Sequence, residues 1–380
     1  MIQGERKMTS IKNNKMKEEQ TIKLLDGDLF KIDTENMLGF LENFTEMMKD
    51  AWQLGKEFTF SSKLLSITSK RLNNIVILGM GGSAISGDLL VSYLADEISL
   101  PISVIRGYEL PRYVNENSLV FAISYSGNTE ETISALEKAQ DAKAQIIVIS
   151  SGGKFAQLSK KNDFPFLKIP TGIQPRAALP YLFFPLLLIL EKIGLIEKKD
   201  YEYEETLNIL KELNQYYGGK IPFKENYAKQ IALELYQHIP LIYGSEGILE
   251  GIARRWKTQI NENSKWPCFW SIFSELNHNE IVGYEIDNQI NQMIKIVFLE
   301  DSQGLLRLEQ RRKITQQIIK KKVAGFVHCR TNGQGKLARM FSLIYLGDMV
   351  SYYLAIINQV NPTTVACIEN LKKELTRKKL

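Results

Sequence analysis

The stretch NIVILGMGGSAISGDLLVSYL, residues 74–94, decides the fold class because three kinds of structure follow one another in it. A run of β-branched and other apolar residues predicts a buried strand. Glycines then interrupt the run, and apolar residues recur after them at the spacing of a helix. A strand, a glycine-rich turn and a helix in this order begin a βαβ unit, which is typical of a parallel sheet flanked by helices.

The same order recurs along the chain. SLVFAISYSGNTEETISALEKAQ (118–140) has a short apolar strand, a turn rich in Ser, Gly and Thr, and a helix, and AQIIVISSGG (144–153) adds another strand. HIPLIYGSEGILEGIARRWKTQ (238–259) repeats the strand, glycine turn and helix, and further strands are predicted at 295–301 and 324–330. We therefore predict two α/β domains of one type, related by a distant internal duplication.

The predicted domain bounds follow the changes in composition. The first 33 residues are charged and lack periodicity, so they are interpreted as a flexible leader. An N-terminal domain is predicted over 34–200, a linker rich in Glu, Lys, Tyr and Gly over 201–222, and a C-terminal domain over 223–380.

The positive charge lies mainly at the two ends of the chain. The 48 Lys and Arg exceed the 43 Asp and Glu by five, but residues 1–20 carry a net charge of +2 and residues 371–380 one of +4. The body is therefore near neutral and lacks the basic face that a nucleic-acid partner needs. The basic run RRKITQQIIKKK (311–322) is interpreted as a solvated helix face.

Several features indicate a cytoplasmic protein with no membrane partner. The N-terminal 20 residues contain no apolar stretch of the kind found in signal peptides. The uncharged run AALPYLFFPLLLIL (177–190) is too short to span a bilayer and predicts a buried core helix. Cys268, Cys329 and Cys367 have no CxxC spacing, which argues against a disulfide framework or a zinc site and fits a reducing compartment.

Residues 79–84 match the pattern GxGxxA, so a dinucleotide site has to be considered. Such a site usually has an acidic residue at the end of the second strand, and Arg106 stands there instead. This weakens an NAD site but leaves NADP open. The P-loop pattern, GxxxxGK followed by Ser or Thr, is absent from the sequence.

The second turn favours a phosphate ligand. Ser124, Ser126 and Thr129 place three hydroxyls at the start of a helix, where free N–H groups and the helix dipole favour an anion. Turns that follow neighbouring parallel strands meet at the carboxyl edge of the sheet. Hydroxyls that only cap helices and fill turns are the structural alternative. Two such turns in one domain favour a phosphomonoester site.

Five motifs, in this order, carry a family resemblance: ILGMGGSAISGD, ISYSGNTEET, GIQPRAAL, RRWKTQINENSK and ELNHNEIVGY. Together they resemble the bifunctional phosphoglucose/phosphomannose isomerases over about residues 34–380. The resemblance implies an α/β fold with two SIS (sugar isomerase) domains, each a flavodoxin-like parallel sheet flanked by helices. It also implies a homodimer that acts on small sugar phosphates without a cofactor or a metal.

The resemblance also implies roles for individual residues. Glu262 would be the catalytic base, His278 the ring-opening group, and Arg176 a cation near the reacting carbons. A lysine near the C-terminus is matched to Lys372, with the adjacent Lys373 left open. The residues assigned to the substrate phosphate are Gly82, Ser83, Ser124, Ser126 and Thr129.

The chemistry of aldose–ketose isomerisation suits these residue types. A carboxylate moves a proton between C1 and C2 when its surroundings raise its pKa, and the aromatic run after Glu262 (Trp266, Phe269, Trp270 and Phe273) is expected to provide such surroundings. Imidazole suits ring opening near neutral pH, and a fixed cation stabilises the enediolate. A phosphosugar-binding regulator and an NADP-dependent oxidoreductase are the alternatives from other classes.

Overall fold

The computed structural model describes residues 18–59 and 72–377, which contain two parallel sheets. The N-terminal sheet has the strand order 2-1-3-4-5, which is the flavodoxin-like order. Every neighbouring pair in it is parallel. Its strands are β1 (Asn74–Leu78), β2 (Ile102–Ile105), β3 (Ser118–Ile123), β4 (Gln145–Ser150) and β5 (Phe166–Lys168).

The C-terminal sheet repeats this arrangement with four strands. Its order is 7-6-8-9, which corresponds to 2-1-3-4 of the first sheet, and its pairs are again parallel. The predicted fold class, two α/β domains of one type, is therefore confirmed. The strands are β6 (Ile239–Ser245), β7 (Phe269–Phe273), β8 (Ile294–Glu300) and β9 (Gly325–Arg330).

Helices flank both sheets, and β1 and β3 are consequently buried over their whole length. The helices are α1 (Met37–Glu42), α2 (Phe44–Glu57), α3 (Gly81–Leu94), α4 (Glu130–Asp141), α5 (Gly153–Asn162), α6 (Leu179–Lys192), α7 (Asp200–Tyr217), α8 (Tyr227–Leu235), α9 (Ile248–Ser264), α10 (Leu306–Ile319), α11 (Lys336–Ile357) and α12 (Ala366–Arg377). Short 3-10 turns include Glu275–His278 and Glu280–Tyr284.

One hydrophobic core joins the two halves. The α6 rings of Phe183 and Phe184 pack on Phe341 of α11, with ring centroids 5.2 and 5.0 Å apart. The run 177–190 thus supplies the buried core helix that the sequence predicts. By length and composition α11 could cross a membrane, but its apolar stretch is entirely buried in this core.

Two polar segments are more ordered than their composition predicts. Residues 18–25, part of the predicted leader, are helical, Leu25 is fully buried, and the buried Asp33 accepts hydrogen bonds of 2.8 Å from the N–H groups of Met37 and Leu38. Most of the predicted linker forms α7. Its charges occupy one face of an amphipathic helix, whose other face buries leucines such as Leu210.

Helices α3 and α9 pack against each other in an antiparallel arrangement, which determines how the edges of the two sheets lie relative to each other. Gly251, near the start of α9, lies against Asp88, Leu89 and Ser92 in the second half of α3. The end of α9 therefore reaches the start of α3. As a result, the carboxyl edge of the N-terminal sheet faces the amino edge of the C-terminal sheet.

Candidate active site

The turn after β3 presents hydroxyls at the start of α4. Ser124 is buried and shares a 2.9 Å hydrogen bond with the Thr129 hydroxyl, and its Oγ also accepts from the Gly127 N–H at 3.1 Å. Ser126 is exposed. Thr129 precedes α4 without a side-chain cap, so the dipole and first N–H groups of the helix remain available to an anion.

The turn after β3 packs tightly against the turn after β4. Gly127 has a φ of +68°, and a Cβ there would lie 1.9 Å from the Gly152 carbonyl oxygen. The Gly127 carbonyl accepts from the Phe155 N–H at 3.0 Å. No side chain fits at residue 127, so the turn packs directly on the backbone at Gly152.

The turn after β1 meets the turn after β3, as the sequence predicts for neighbouring parallel strands. The buried Ser83 hydroxyl accepts from the Tyr125 N–H at 3.3 Å. Gly82 is in close contact with the next segment, since a Cβ there would lie 2.9 Å from the Pro175 carbonyl oxygen. This contact places Arg176 directly beside the turn.

Arg176 is buried, and three of its five N–H groups are already engaged. Its Nε donates to Asn263 Oδ1 at 2.5 Å, and its Nη2 donates to the carbonyls of Pro362 and Thr363 at 2.5 and 2.6 Å. Its Nη1 lies 3.6 Å from Glu262 Oε2. The guanidinium therefore presents one nitrogen to Glu262, although the two residues are 86 positions apart.

Burial lowers the pKa of Arg176, and the carboxylates of Glu262 and Glu35 act in the opposite direction.

Arg255 holds the backbone of Arg176 by donating to the Arg176 carbonyl at 2.9 Å. Arg255 in turn forms a bidentate ion pair with Asp348, at 3.0 and 2.6 Å, in which both side chains are buried. The cation thus has a fixed backbone and a fixed side chain.

Glu262 lies in the last turn of α9, and its side chain is 28% exposed. The aromatic run does not enclose it as expected. Lys265 ends the helix in a left-handed conformation, and the chain then turns away along β7. Trp266 donates to the carbonyl of His238, which precedes β6, and Trp270 packs on Arg254. The charged neighbours of Glu262 are instead Arg176 and Lys265.

His278 is exposed and follows the carboxyl end of β7, whereas Glu262 lies near its amino end. The five residues of β7 alone span about 17 Å. The structure therefore does not bring the two predicted catalytic residues together within one chain.

Lys372 and Lys373 lie on α12, whose side chains are exposed over 366–375. This helix begins three residues after Thr363, which contacts Arg176. The choice between the two lysines stays a prediction.

Three residues that surround Arg176 and Glu262 were not predicted from the sequence. Asn263 and Lys265 belong to the motif INENSK, so their position next to Glu262 could have indicated that they are part of the site. No sequence pattern indicated Glu35, because it lies in a polar segment distant in sequence.

Two observations concern the residues that a dinucleotide or a metal ion would use. Arg106, a candidate partner of an NADP phosphate, is ion-paired with Asp88. Within residues 18–59 and 72–377, no three His, Cys, Asp or Glu side chains are grouped so that they could hold a metal.

Comparisons with known proteins identify the family of the chain. Residues 224–375 match the family model described as bacterial phospho-glucose isomerase C-terminal SIS domain, and residues 67–168 match the SIS domain. A bifunctional phosphoglucose/phosphomannose isomerase of Caldicellulosiruptor bescii is 45% identical over 333 residues, which cover 88% of this chain and 97% of that one. One of Thermoplasma volcanium is 36% identical, with coverages of 83% and 99%.

A solved structure of a hypothetical protein from Thermus thermophilus covers 97% of this chain and 96% of its own, with a TM-score of 0.71. At 15% identity this likeness shows the fold alone. The sequence relatives show more, and the chain belongs to the family of bifunctional phosphoglucose/phosphomannose isomerases, which are intramolecular oxidoreductases.

Proposed function

We propose that this enzyme interconverts glucose 6-phosphate and mannose 6-phosphate with fructose 6-phosphate through an enediolate. The observation that carries the proposal is the pairing of Arg176 Nη1 with the Glu262 carboxylate, 3.6 Å apart, beside a hydroxyl-lined turn. Such an arrangement offers a base, a cation and an anion site to one small molecule.

The substrate phosphate binds at the start of α3 and α4. Ser83, Ser124, Ser126 and Thr129 supply hydroxyls, and Gly82 lets the backbone approach. Neither α3 nor α4 has a side-chain cap at its N-terminus, which leaves both helix ends suited to an anion. The phosphate holds the sugar so that its C1 and C2 face α9.

Glu262 takes the proton from C2 of the open aldose, the electrons of that C–H bond form the C1=C2 double bond, and the carbonyl oxygen on C1 takes the negative charge of the enediolate. A proton then passes from the C2 oxygen to the C1 oxygen, and the same carboxylic acid returns its proton to C1 as the C2 oxygen becomes the ketone. Arg176 Nη1 stabilises the negative charge on the enediolate oxygens. Because the buried guanidinium is already oriented by Asn263, it reorganises little during the reaction.

Ring opening by His278 requires a second copy of the chain. His278 and Glu262 lie at opposite edges of the C-terminal sheet, so the histidine at one site has to come from the partner. We therefore propose a homodimer whose sites are shared. Lys372 or Lys373 on the exposed helix α12 is proposed as the C-terminal site lysine.

Mixing two inactive variants tests this sharing. In a random mixture of Glu262→Gln and His278→Asn chains, half of the dimers are hybrids and each hybrid has one intact site. Activity on fructose 6-phosphate should return to about a quarter of the wild-type value. Mixtures that stay inactive after subunit exchange would show that the two residues do not share a site across the dimer.

The activity itself is tested by proton NMR of fructose 6-phosphate with the purified protein. Anomeric signals of both glucose 6-phosphate and mannose 6-phosphate are expected. One product alone would narrow the substrate range, and tight binding without turnover would identify a phosphosugar-binding regulator instead.

A further inference from the structure

Lys265 ends α9 and folds back on the end of its own helix. Its φ is 52°, and its Nζ donates to the carbonyls of Glu262 at 2.9 Å and Asn263 at 3.1 Å. The last carbonyls of a helix lack partners within the helix, and a cation there also complements the helix dipole. Lys265 thereby caps the turn of α9 that carries Glu262.

The same ammonium group also holds a distant segment. Its Nζ donates to the carbonyls of Asn361 at 2.6 Å and Pro362 at 3.3 Å. Arg176 Nη2 donates to the same Pro362 carbonyl at 2.5 Å. Two cations therefore bind residues 361–363, named here the strap: Lys265 at the end of α9, and Arg176.

The strap is anchored on its other side as well. The Asn361 side chain donates to the Thr34 hydroxyl at 2.9 Å and accepts from the Thr363 N–H at 2.8 Å. Near the site, Lys265 connects the strap to the helix turn that carries Glu262. Arg176 connects the strap to the turn at Gly82.

We propose that Lys265 is a positioning residue for the isomerisation: by tying the strap to the end of α9, it fixes Arg176 Nη1 against Glu262. Its three N–H groups face four carbonyl oxygens, so none is left to contact substrate. The role differs from that of a catalytic residue, and it rests on the proposed function of Glu262 and Arg176.

The arrangement brings two cations close together at an energetic cost. Residue 265 is exposed as a whole, but its ammonium is turned onto carbonyls. Burial of that group, together with the nearby Arg176, lowers its pKa to about 8, while Glu262 and Glu35 oppose the shift. A lysine with only a solubilising role would extend into water and avoid this cost.

Replacing Lys265 by Met tests the proposal, with Lys257→Met in the same helix as the matched control. We expect kcat for fructose 6-phosphate to fall by roughly ten- to a hundredfold, since small misplacements of reacting groups have effects of this size. KM should change by less than about twofold, because the phosphate turns lie in the other half. Lys265→Arg, which keeps a cation and several donors, should recover part of kcat.

Amide hydrogen exchange supplies a readout that does not depend on turnover. Peptides covering Asn361 and Thr363 should exchange faster in Lys265→Met than in wild type or Lys257→Met, while those covering 124–129 should be unchanged. If Lys265→Met does not fold, Lys265→Gln takes its place. An unchanged kcat, or an unchanged strap, would overturn the proposal. If the wild-type protein does not isomerise fructose 6-phosphate, the proposed function fails, and the exchange result still tests whether Lys265 holds the strap.

Discussion

The two sheets share a strand order but differ at their carboxyl edges. The N-terminal edge is lined by the hydroxyls of Ser83, Ser124 and Thr129. At the equivalent edge of the C-terminal sheet, Asp301 follows β8 and is paired with Arg339. Glu300 is paired with Arg312 at 3.1 Å and contacts His328 Nδ1 at 2.6 Å.

This difference shows how a duplicated fold can divide one task. Carboxylates at the C-terminal edge would repel a phosphate, and their own cations already satisfy them. In the proposed function, the N-terminal half binds the substrate phosphate. The C-terminal half contributes Glu262 from the opposite, amino edge of its sheet, where α9 ends.

The largest expected effect is a difference in kcat between variants of two carboxylates of the C-terminal half, Glu262 and Glu300. Glu262→Gln should lower kcat by about 10²- to 10⁴-fold, because the proton between C1 and C2 then has no base. Glu300→Gln should leave kcat near the wild-type value. Initial rates with fructose 6-phosphate give kcat for both variants. An equal loss of kcat in the two variants would mean that the two sheet edges do not differ in function.

The buried ion pair beneath the site should contribute more stability than the pair at the C-terminal edge. Arg255→Met leaves the buried Asp348 without its cation and should lower the free energy of unfolding by about 3–5 kcal/mol. Arg339→Met should lower it less, because Arg339 and Asp301 retain more contact with water. Urea unfolding of both variants at neutral pH measures the difference.

The loss in Arg255→Met should shrink as the pH falls. Burial raises the pKa of Asp348 in the folded protein, and Arg255 opposes this rise. Without Arg255 the folded state takes up a proton more readily than the unfolded state, so acid stabilises the variant relative to neutral pH. A loss that stays constant or grows between neutral and mildly acidic pH would contradict this account.

Hydroxyls at the two edges should contribute differently to substrate binding. Ser124→Ala removes a donor to the phosphate and should raise KM by about tenfold, the usual value of a hydrogen bond to a charged group. Ser302→Ala, after β8, should leave KM unchanged. Saturation curves with fructose 6-phosphate give KM for both variants. A raised KM in Ser302→Ala would indicate that the phosphate binds at the C-terminal sheet, which would contradict the account.

The smallest expected effects come from two glycine turns. A methyl at residue 82 would press on the Pro175 carbonyl, so Gly82→Ala should shift Arg176 and lower kcat a few-fold. Gly247, after β6, has a φ of +86° and open space around its Cβ position. Gly247→Ala should therefore reduce stability by about 1–3 kcal/mol through backbone strain, with kcat unaffected. Thermal unfolding and kcat measured together distinguish these outcomes.

Local patterns were sufficient to predict most of the strands and the two hydroxyl-rich and glycine-rich turns, but not β5 or β7. The apolar runs before Gly79 and Ser124 are continuous because both faces of these strands are buried, and the turn residues follow them directly. The composition of 201–222 was misleading, because α7 exposes its charges on one face and buries leucines on the other.

The candidate site depended on long-range contacts that no local pattern encodes. Arg176 and Glu262 come together through the packing of α3 on α9, and their link was available only from the family resemblance. Glu262 and His278 are neighbours in sequence, yet β7 separates them in space. The strap and its grip by Lys265 involve residues almost 100 positions apart.

A crystal structure of the Glu262→Gln variant with fructose 6-phosphate tests the division between the halves most directly. We expect the phosphate within about 3 Å of the Ser124, Ser126 and Thr129 hydroxyls, with C1 and C2 facing residue 262 and Arg176 Nη1. Phosphate at the carboxyl edge of the C-terminal sheet, or a sugar whose C1 and C2 point away from residue 262, would contradict the account.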